Sequence, residues 1–509
     1  MDRSAFTACL DRWLDRAAPA PDERELAIAL PPALTKGWAP PEAAFRAAIR
    51  VLGQHSVVAA ALAGGPATPQ LHAALARPLA TTILRQCLVT DPAWERMLTA
   101  VRAGLVAEPA AAPLPLAVTL ALQCILNEYV WAVTPTEVAA AAALDAALHA
   151  SFAPSHAAVL AAYRLIGEEL WLDTGATVDP AIADLLRVMH DEPRQDRALI
   201  AGIAALDAVA DPVSRAVRSQ YEENPYPRWT VCAREEPQPF AGFRAAIAER
   251  YGLSVRHAAP RPRILVAGCG TGQQAIQCAS QFREAEIVAL DLSRPSLAYA
   301  ARKTAELGLD NVTYIAGDLL DLRGPPFDYI ECLGVLHHVA QPARGLSVLA
   351  ENLAPGGLIY LGLYSAAARD SIAAARDLVD RHKLAPTIDG IRALRALVRS
   401  KAAMPGARAQ RLAPLFGFLD FYSTSMCRDL VFHGMEHVFT PRGVAGLVAG
   451  AGLSFLGFGF AAASAAHAYA AVNPGDPLVS DPRAVAAFER AHPQAFAAMY
   501  LCLAAKPLT

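Results

Sequence analysis

The chain has 509 residues, enough for about two to four domains. Hydrophobic residues make up 54% and charged residues 18%, with a net charge of −3. That balance provides a sizeable core, excludes a predominantly disordered chain, and lacks the basic excess that would point to nucleic acid.

The opening stretch, MDRSAFTACLDRWLDRA, places Asp2, Asp11 and Asp15 among its apolar residues and lacks the apolar run of a signal peptide. The most apolar later stretch, Leu114 to Val133, is interrupted by Gln123, Asn127 and Glu128, which predicts a buried helix and no membrane span. The nine cysteines are odd in number, widely spaced and without a C-x-x-C pair. Common zinc spacings are thereby excluded, and reduced thiols in a cytoplasmic protein are expected.

Residues 1 to about 215 are rich in alanine and leucine, and Pro and Gly fall in clusters. Between the clusters run segments at helical period: Ala43 to Leu52, Leu71 to Gln86, Trp94 to Ala107, and Ala157 to Leu172. They predict an all-helical domain of roughly 8 to 10 helices. No repeat near 34 residues emerges. Within this half, Gln123 to Trp131 (QCILNEYVW) sets Asn127 and Glu128 in an apolar helix, where hydrogen bonds must balance burial. A satisfied structural pair and a substrate-facing pair both fit. Ser219 to Trp229, SQYEENPYPRW, lies in a linker arm spanning 216–240. Pro225 and Pro227 forbid helix and hold Tyr226 and Arg228 on an extended arm. Such an arm suits a clasp over a ligand, by stacking or by contact with a carboxylate, or a rigid linker that packs Trp229 into a core.

From about 241 the pattern changes to alternating strands and helices. A helix over 240–258 precedes Ile264 to Ala267, an apolar run suited to a strand buried on both faces. Gly268, Gly270 and Gly272 then fall at alternate positions, and Gln273 to Phe282 has helical spacing. A strand, a glycine turn and a helix start form a cofactor cradle with free backbone N–H groups. The sixth place of a dinucleotide fingerprint is Gln273, not glycine, so the turn alone is a weak signal. The second strand, Glu286 to Leu290, ends in Asp291, 21 positions past Gly270, a separation that suits a ribose diol. Asn311 to Ala316 leads into Gly317-Asp318-Leu319, and Phe327 to Cys332 leads into Leu333 to Val339. Leu353 to Gly357 is read as a turn before a fifth strand, Leu358 to Tyr364. An insertion over about 366–440 reads as four helices: Ser371 to His382, Thr387 to Ser400, Arg408 to Leu419, and Thr424 to His433. A helix over Pro441 to Ala451, a strand over Leu453 to Phe460, a helix over Pro482 to Ala498 and a strand over Met499 to Ala505 complete the chain.

Five motifs in this order, VAGCGTG, VALDLS, AGDLLDL, FDYIECLGVLHHV and LAPGGLIYLGLY, closely resemble those of class I S-adenosylmethionine-dependent methyltransferases. The QCxxNEYVW, YEENPYPRW and CRDLVFHGMEHVFT stretches are similar to those of a bacterial family of these enzymes. That family carries an α-helical, often tetratricopeptide-type, N-terminal region. With them the resemblance covers about 115–509. It implies an α/β fold: a Rossmann-like, seven-stranded class I methyltransferase domain over 241–509, preceded by an all-α domain over 1–215. The insertion would lie over the active site. The resemblance implies S-adenosyl-L-methionine as cofactor, with S-adenosyl-L-homocysteine as product. Gly268, Cys269, Gly270, Thr271 and Gly272 would admit the methionine end. Asp291 with Leu292 would take the ribose hydroxyls, Gly317 and Asp318 the adenine amino group with Leu319 beside the ring, and Leu333 and Gly334 the floor under the methyl donor. For Asp291 the competing role is a cap of the helix beginning near Arg294, and for Asp318 a solvated turn.

Methyl transfer from a sulfonium needs an in-line approach and little else, because the donor is already activated. An amine, acid, phenol or thiol acceptor must also lose a proton, so a general base is plausible. His337 and His338 follow the fourth strand and are candidate bases or helix caps. Asp429, His433 and His437 would share one face of a continuous helix. His433 to His437, with Glu436 inside it, also reads H-x-x-E-H, a spacing of zinc peptidases. Gly434 and the surrounding methyltransferase pattern favour an acid/base stripe or a structural polar network, and no metal is expected. Tyr364 and Tyr422 are candidate pocket walls, and Tyr226 and Arg228 candidate acceptor contacts. The leading expectation is methyl transfer to an N, O or S atom of a peptide, protein or natural product docked by the helical half. The alternatives are a small-molecule O- or N-methyltransferase that uses the helical half to form a homodimer, and a non-catalytic S-adenosylmethionine-binding protein. No membrane partner is expected.

Overall fold

The computed structural model describes residues 2–508 except 16, 169–179, 207–208, 255–258 and 497–498. The chain forms two compact units. One comprises 1–195, 228–234 and 375–432 and is helical; the other comprises 196–227, 235–374 and 433–509 and contains the sheet. No described helix is long and apolar enough to cross a membrane.

Among the described residues, twelve α-helices lie between Arg3 and Ile200. They outnumber the expectation because proline divides periodic stretches. Leu71 to Gln86 is two helices, Pro69–Leu75 and Pro78–Gln86, with Pro78 seated in the first turn of the second. The helix expected over Ala157 to Leu172 is Pro154–Ala161, and positions 169–172 of it lie outside the described residues. The apolar helix Leu114–Leu126 stops at Asn127, because Glu128 and Tyr129 take φ of 55° and 59°. Asn127 accepts from the Val130 N–H at 3.2 Å, which makes it a local cap.

Three of the four helical segments expected in the insertion are α-helices, while Arg408 to Leu419 is α-helical only as far as Leu412 and continues as 3-10 turn; residues 375–432 fold within the helical unit. Buried charge explains this. Glu95, 1% exposed, receives Arg395 at 2.7 Å and Arg399 at 2.6 Å, and Glu128 accepts from the Ser425 N–H at 2.7 Å. Removing either partner of such a buried pair costs about 3–5 kcal/mol, so these contacts fasten the inserted helices to the N-terminal ones.

The other unit is built on one sheet whose strands are β1 (Ala204–Ala205), β2 (Arg263–Ala267), β3 (Glu286–Asp291), β4 (Val312–Ala316), β5 (Phe327–Leu333), β6 (Leu353–Tyr364), β7 (Ser454–Gly459) and β8 (Met499–Ala505). Their spatial order is β1-β4-β3-β2-β5-β6-β8-β7. Strands β1 to β6 pair in parallel, and β8 runs antiparallel between β6 and β7. The sheet is thus the expected Rossmann-like one plus an edge strand. The two-residue β1 pairs Ala204 with Ile315 and is too short to leave a period in the sequence. Leu353 to Gly357, expected as a turn, is counted in β6. Leu353 pairs with Phe327 and Leu358 with Tyr329, so five residues of one strand oppose two of the other and the turn is absorbed as a bulge.

Alternate residues of the strands face opposite sides. Leu265, Leu290, Ile330, Leu361 and Cys502 join Leu349, Val448 and Phe488 from three helices in one hydrophobic cluster. On the other side, Phe240, Phe243, Phe282 and Tyr329 meet ring to ring, with Phe240 and Phe282 edge to face at 5.3 Å. Burial on both faces accounts for the continuous apolar runs of β2 and β3.

Candidate active site

The strand order reverses beside β2, whose neighbours are β3 and β5. In a sheet of this kind the crevice for a ligand lies outside the carboxyl ends of the strands at that reversal. The glycine turn and the strand-end carboxylates meet there. Gly268, Gly270 and Gly272 all have positive φ, between 53° and 90°. At Gly270 a Cβ would stand 2.5 Å from the Tyr226 carbonyl oxygen, so only glycine lets this turn close. Thr271, 1% exposed, donates its N–H to the Tyr226 carbonyl at 3.1 Å and its hydroxyl to the Pro227 carbonyl at 2.5 Å. The aromatic arm therefore backs the glycine turn directly. Cys269 is buried, and desolvation, with Asp291 nearby, holds its thiol well above the usual range.

Asp291 ends β3. One carboxylate oxygen accepts from the Gly270 N–H at 2.8 Å and the other from the Ser293 N–H at 2.9 Å. The helix Arg294–Glu306 is capped instead by Ser293. Desolvation pushes the Asp291 carboxyl above its ordinary value, opposed by the N–H groups of Ser293, Gly270 and Leu292. Asp318, 3% exposed, accepts from the Leu320 N–H at 2.9 Å and caps the short 3-10 turn Leu319–Asp321; it is not a solvated turn residue. Gly317 holds the carbonyl end of Asp291 through its N–H at 2.9 Å. Leu333 ends β5, and Gly334, at φ 78°, leaves open space where a Cβ would stand. A turn of positive-φ glycines, two carboxylates and an open floor, all at adjacent strand ends, fit the methionine, ribose and adenine parts of S-adenosylmethionine.

A chain of rings continues from this cradle. Tyr226 lies 6.2 Å from Tyr221, and Tyr221 lies 6.1 Å from His433. His433 stacks on His338 at 3.7 Å, His338 meets His337 edge-on at 4.4 Å, and His337 stacks on Tyr364 at 3.5 Å. The Arg369 guanidinium lies over the Tyr364 ring at 3.8 Å and forks onto the Glu436 carboxylate, with Nε at 2.8 Å. Backbone contacts hold 437–439 in place: Phe439 N–H donates to the Tyr364 carbonyl at the end of β6 at 2.9 Å, and His437 N–H to the His337 carbonyl after β5 at 2.8 Å.

The shared helical face expected of Asp429, His433 and His437 does not form. The helix ends at Phe432, and His433 to His437 is irregular chain. The H-x-x-E-H spacing thus lacks the helix that would bring its side chains to one face. Glu436 is held by Arg369, and His437 meets His337 through its backbone N–H. Tyr422 is 1% exposed in the helical unit, where its hydroxyl donates to the Phe416 carbonyl at 2.9 Å, and Arg228 belongs to that same unit. Tyr221, Arg369 and Met435 were not singled out by sequence. Tyr221 lay within reach as an aromatic inside the quoted arm, but nothing in the local pattern marks Arg369 or Met435.

His337 is fully buried, and its imidazole is held well below its ordinary value by desolvation, then by His338, Arg369, His433 and His437. Its folded-state value is depressed, so it is neutral in the fold and charges first in the unfolded chain. The stability it permits is complete above about pH 6.5 and falls by up to about 1.4 kcal/mol per pH unit below that. Denaturant midpoints between pH 7.5 and 5.5 check this; His337→Phe should flatten the slope by about one proton, and an unchanged slope would refute it.

Residues 265–359 match a family model described as a methyltransferase domain. An uncharacterized protein of Synechococcus sp. is 31% identical over 49% of this chain and 61% of its own length. Trans-aconitate 2-methyltransferase of Deinococcus radiodurans is 34% identical over 24% of this chain and 42% of its own length. Among solved structures, PKMT2 from Rickettsia typhi in complex with AdoHcy aligns at 18% identity over 52% of this chain and 53% of that one, with a TM-score of 0.42. The chain thus spans less than two thirds of each of these relatives.

Proposed function

We propose that this chain is an S-adenosylmethionine-dependent methyltransferase acting on a nucleophilic atom of an acceptor docked by the helical unit, in the cytoplasm. The observation that carries the reading is the convergence of the glycine turn, Asp291, Asp318 and Gly334 on four strand ends beside the order reversal. Bound S-adenosylmethionine supplies a methyl group already activated on a sulfonium, so positioning and exclusion of water do most of the remaining work. Gly268 to Gly272 admit the methionine end, Asp291 and Leu292 hold the ribose, and Gly317, Asp318 and Leu319 hold the adenine. Leu333 and Gly334 lie under the reacting carbon. His338 and His433 are the proposed proton-handling pair, with His337, Tyr364, Glu436 and His437 holding them in place. Tyr226 closes the cradle.

For a bulky peptide, protein or natural product, the reading is supported by the size of the helical unit, which methyl transfer itself does not require. A small-molecule acceptor is favoured by a different observation: the matched relatives include trans-aconitate 2-methyltransferase and ubiquinone biosynthesis O-methyltransferase. A bacterial lysate incubated with isotopically labelled donor, with and without the protein, separates them by mass spectrometry. Label on a peptide supports the first acceptor class and label on a small metabolite the second. Donor binding without any label would leave only a binding protein.

A further inference from the structure

Glu489 is 4% exposed in the helix Pro482–Ala491, and its carboxyl is held differently from the other buried glutamates. Glu95, Glu137 and Glu436 face Arg395, Arg102 and Arg369. Among the described residues no cation pairs with Glu489. Its partners are two hydroxyls: Ser365 Oγ donates to one oxygen at 2.5 Å, and the Tyr500 hydroxyl donates to the other. Ser365 and Tyr500 are fully buried. Desolvation, and then Glu489, hold the Tyr500 phenol well above its ordinary value, so it keeps the proton it donates. Burying a carboxyl away from any cation is costly unless its oxygens find donors, and here each oxygen is fixed on one particular atom.

Tyr500 in β8 pairs with Leu363 of β6, and Ser365 is the residue after β6. The Ser365 oxygen also accepts from the Ala368 N–H at 3.2 Å, so one hydroxyl sets the turn that leaves the strand. Tyr364, just before the turn, stacks on His337 at 3.5 Å. Arg369, just after it, lies over the Tyr364 ring at 3.8 Å. Within the turn, Ala366 donates its N–H to the Phe439 carbonyl at 2.8 Å.

We propose that Glu489 is a positioning residue for methyl transfer: through Ser365 it sets the turn 365–369, and so the stack of Tyr364 on His337. In the methyltransferase reading above, on which this role of Glu489 rests, these rings hold the proton-handling pair. An acceptor-only group suits the position, because it commits the Ser365 proton to the carboxylate and leaves a Ser365 lone pair for Ala368. Glu489→Leu keeps the volume and removes both acceptor oxygens. Ser365→Ala breaks the same link from its other end. Tyr500→Phe removes the second hydroxyl and leaves the Ser365 link intact. All three take hydrogen bonds from one buried spot, so a role in stability alone would not single out the first two.

Aromatic carbon–proton correlation spectra of the full chain read the stack without turnover. A ring face shifts the resonances of the protons it covers, so the His337 ring C–H signals, assigned with His337→Phe, report on Tyr364. They should move in Glu489→Leu and in Ser365→Ala and stay in place in Tyr500→Phe. With saturating labelled S-adenosylmethionine and a bacterial lysate, label transfer should slow on the order of 10- to 100-fold in the first two variants, the range of a displaced group, and keep the wild-type rate in Tyr500→Phe. Combined in one chain, Glu489→Leu and Ser365→Ala should slow transfer no more than the stronger of the two alone. Unchanged donor affinity by calorimetry shows that the fold is retained, and Ser365→Ala carries the test alone should Glu489→Leu not fold. Unmoved His337 signals in Ser365→Ala would overturn the proposal, as would an equal loss of rate in Tyr500→Phe. A wild-type chain that binds no donor would instead remove the methyltransferase reading beneath it.

Discussion

Asp291→Ala should weaken S-adenosylmethionine binding about 100-fold, measured by calorimetry against the wild-type chain. A hydrogen bond to a charged group contributes about 1.5–3 kcal/mol, and a ribose diol offers two donors to this carboxylate. The change also strips the partners from the Gly270 and Ser293 N–H groups, which loosens the glycine turn where Thr271 meets Tyr226 and Pro227. Asp291→Asn keeps the size and one acceptor oxygen and should fall between the two. Because burial raises the Asp291 carboxyl, it takes up its proton nearer neutrality than an exposed aspartate, so donor affinity should decline on acidification. An affinity within threefold of wild type for the alanine variant would remove Asp291 from the site.

The second large effect concerns folding. Glu436→Ala should destabilise the sheet-bearing unit by about 3–5 kcal/mol, the usual cost of leaving one buried charge unpaired. The side chains of Arg369 and Glu436 are 5% and 4% exposed, so water cannot replace the lost carboxylate. For a unit of this size the midpoint of thermal unfolding should drop on the order of 10 °C. Replacing both residues with methionine should recover much of the loss, since two apolar side chains leave no orphan charge. A single-variant loss under about 1 kcal/mol would mean that the pair is solvated and does not brace Tyr364. A carboxylate held in this way is a poor base, which leaves proton handling to the imidazoles.

These two residues show where reading the chain in order succeeds and where it stops. Asp291 was legible because it ends an apolar run at a fixed distance from a glycine turn. Both features are local, and the parallel sheet leaves little freedom in how they meet. The same holds for β2 to β5, for Asp318 after β4 and for Gly334 after β5. Glu436 was noticed for a spacing that would matter only on a helix, and the helix ends at Phe432. Its partner Arg369 is 67 residues away, and no periodicity links them. The inserted helices were equally visible as helices, but their membership was not. Arg395 reaches Glu95 across 300 positions, and that buried pair draws 375–432 into the helical unit.

By itself, then, the order of residues determined the strands, the glycine turn and the carboxylates at the strand ends, because hydrophobic period and backbone conformation act over a few positions. Only the tertiary structure decided which charges are buried together and which unit the inserted helices join. Those outcomes depend on desolvation and on single hydrogen bonds between distant segments, which have no local signature in the chain.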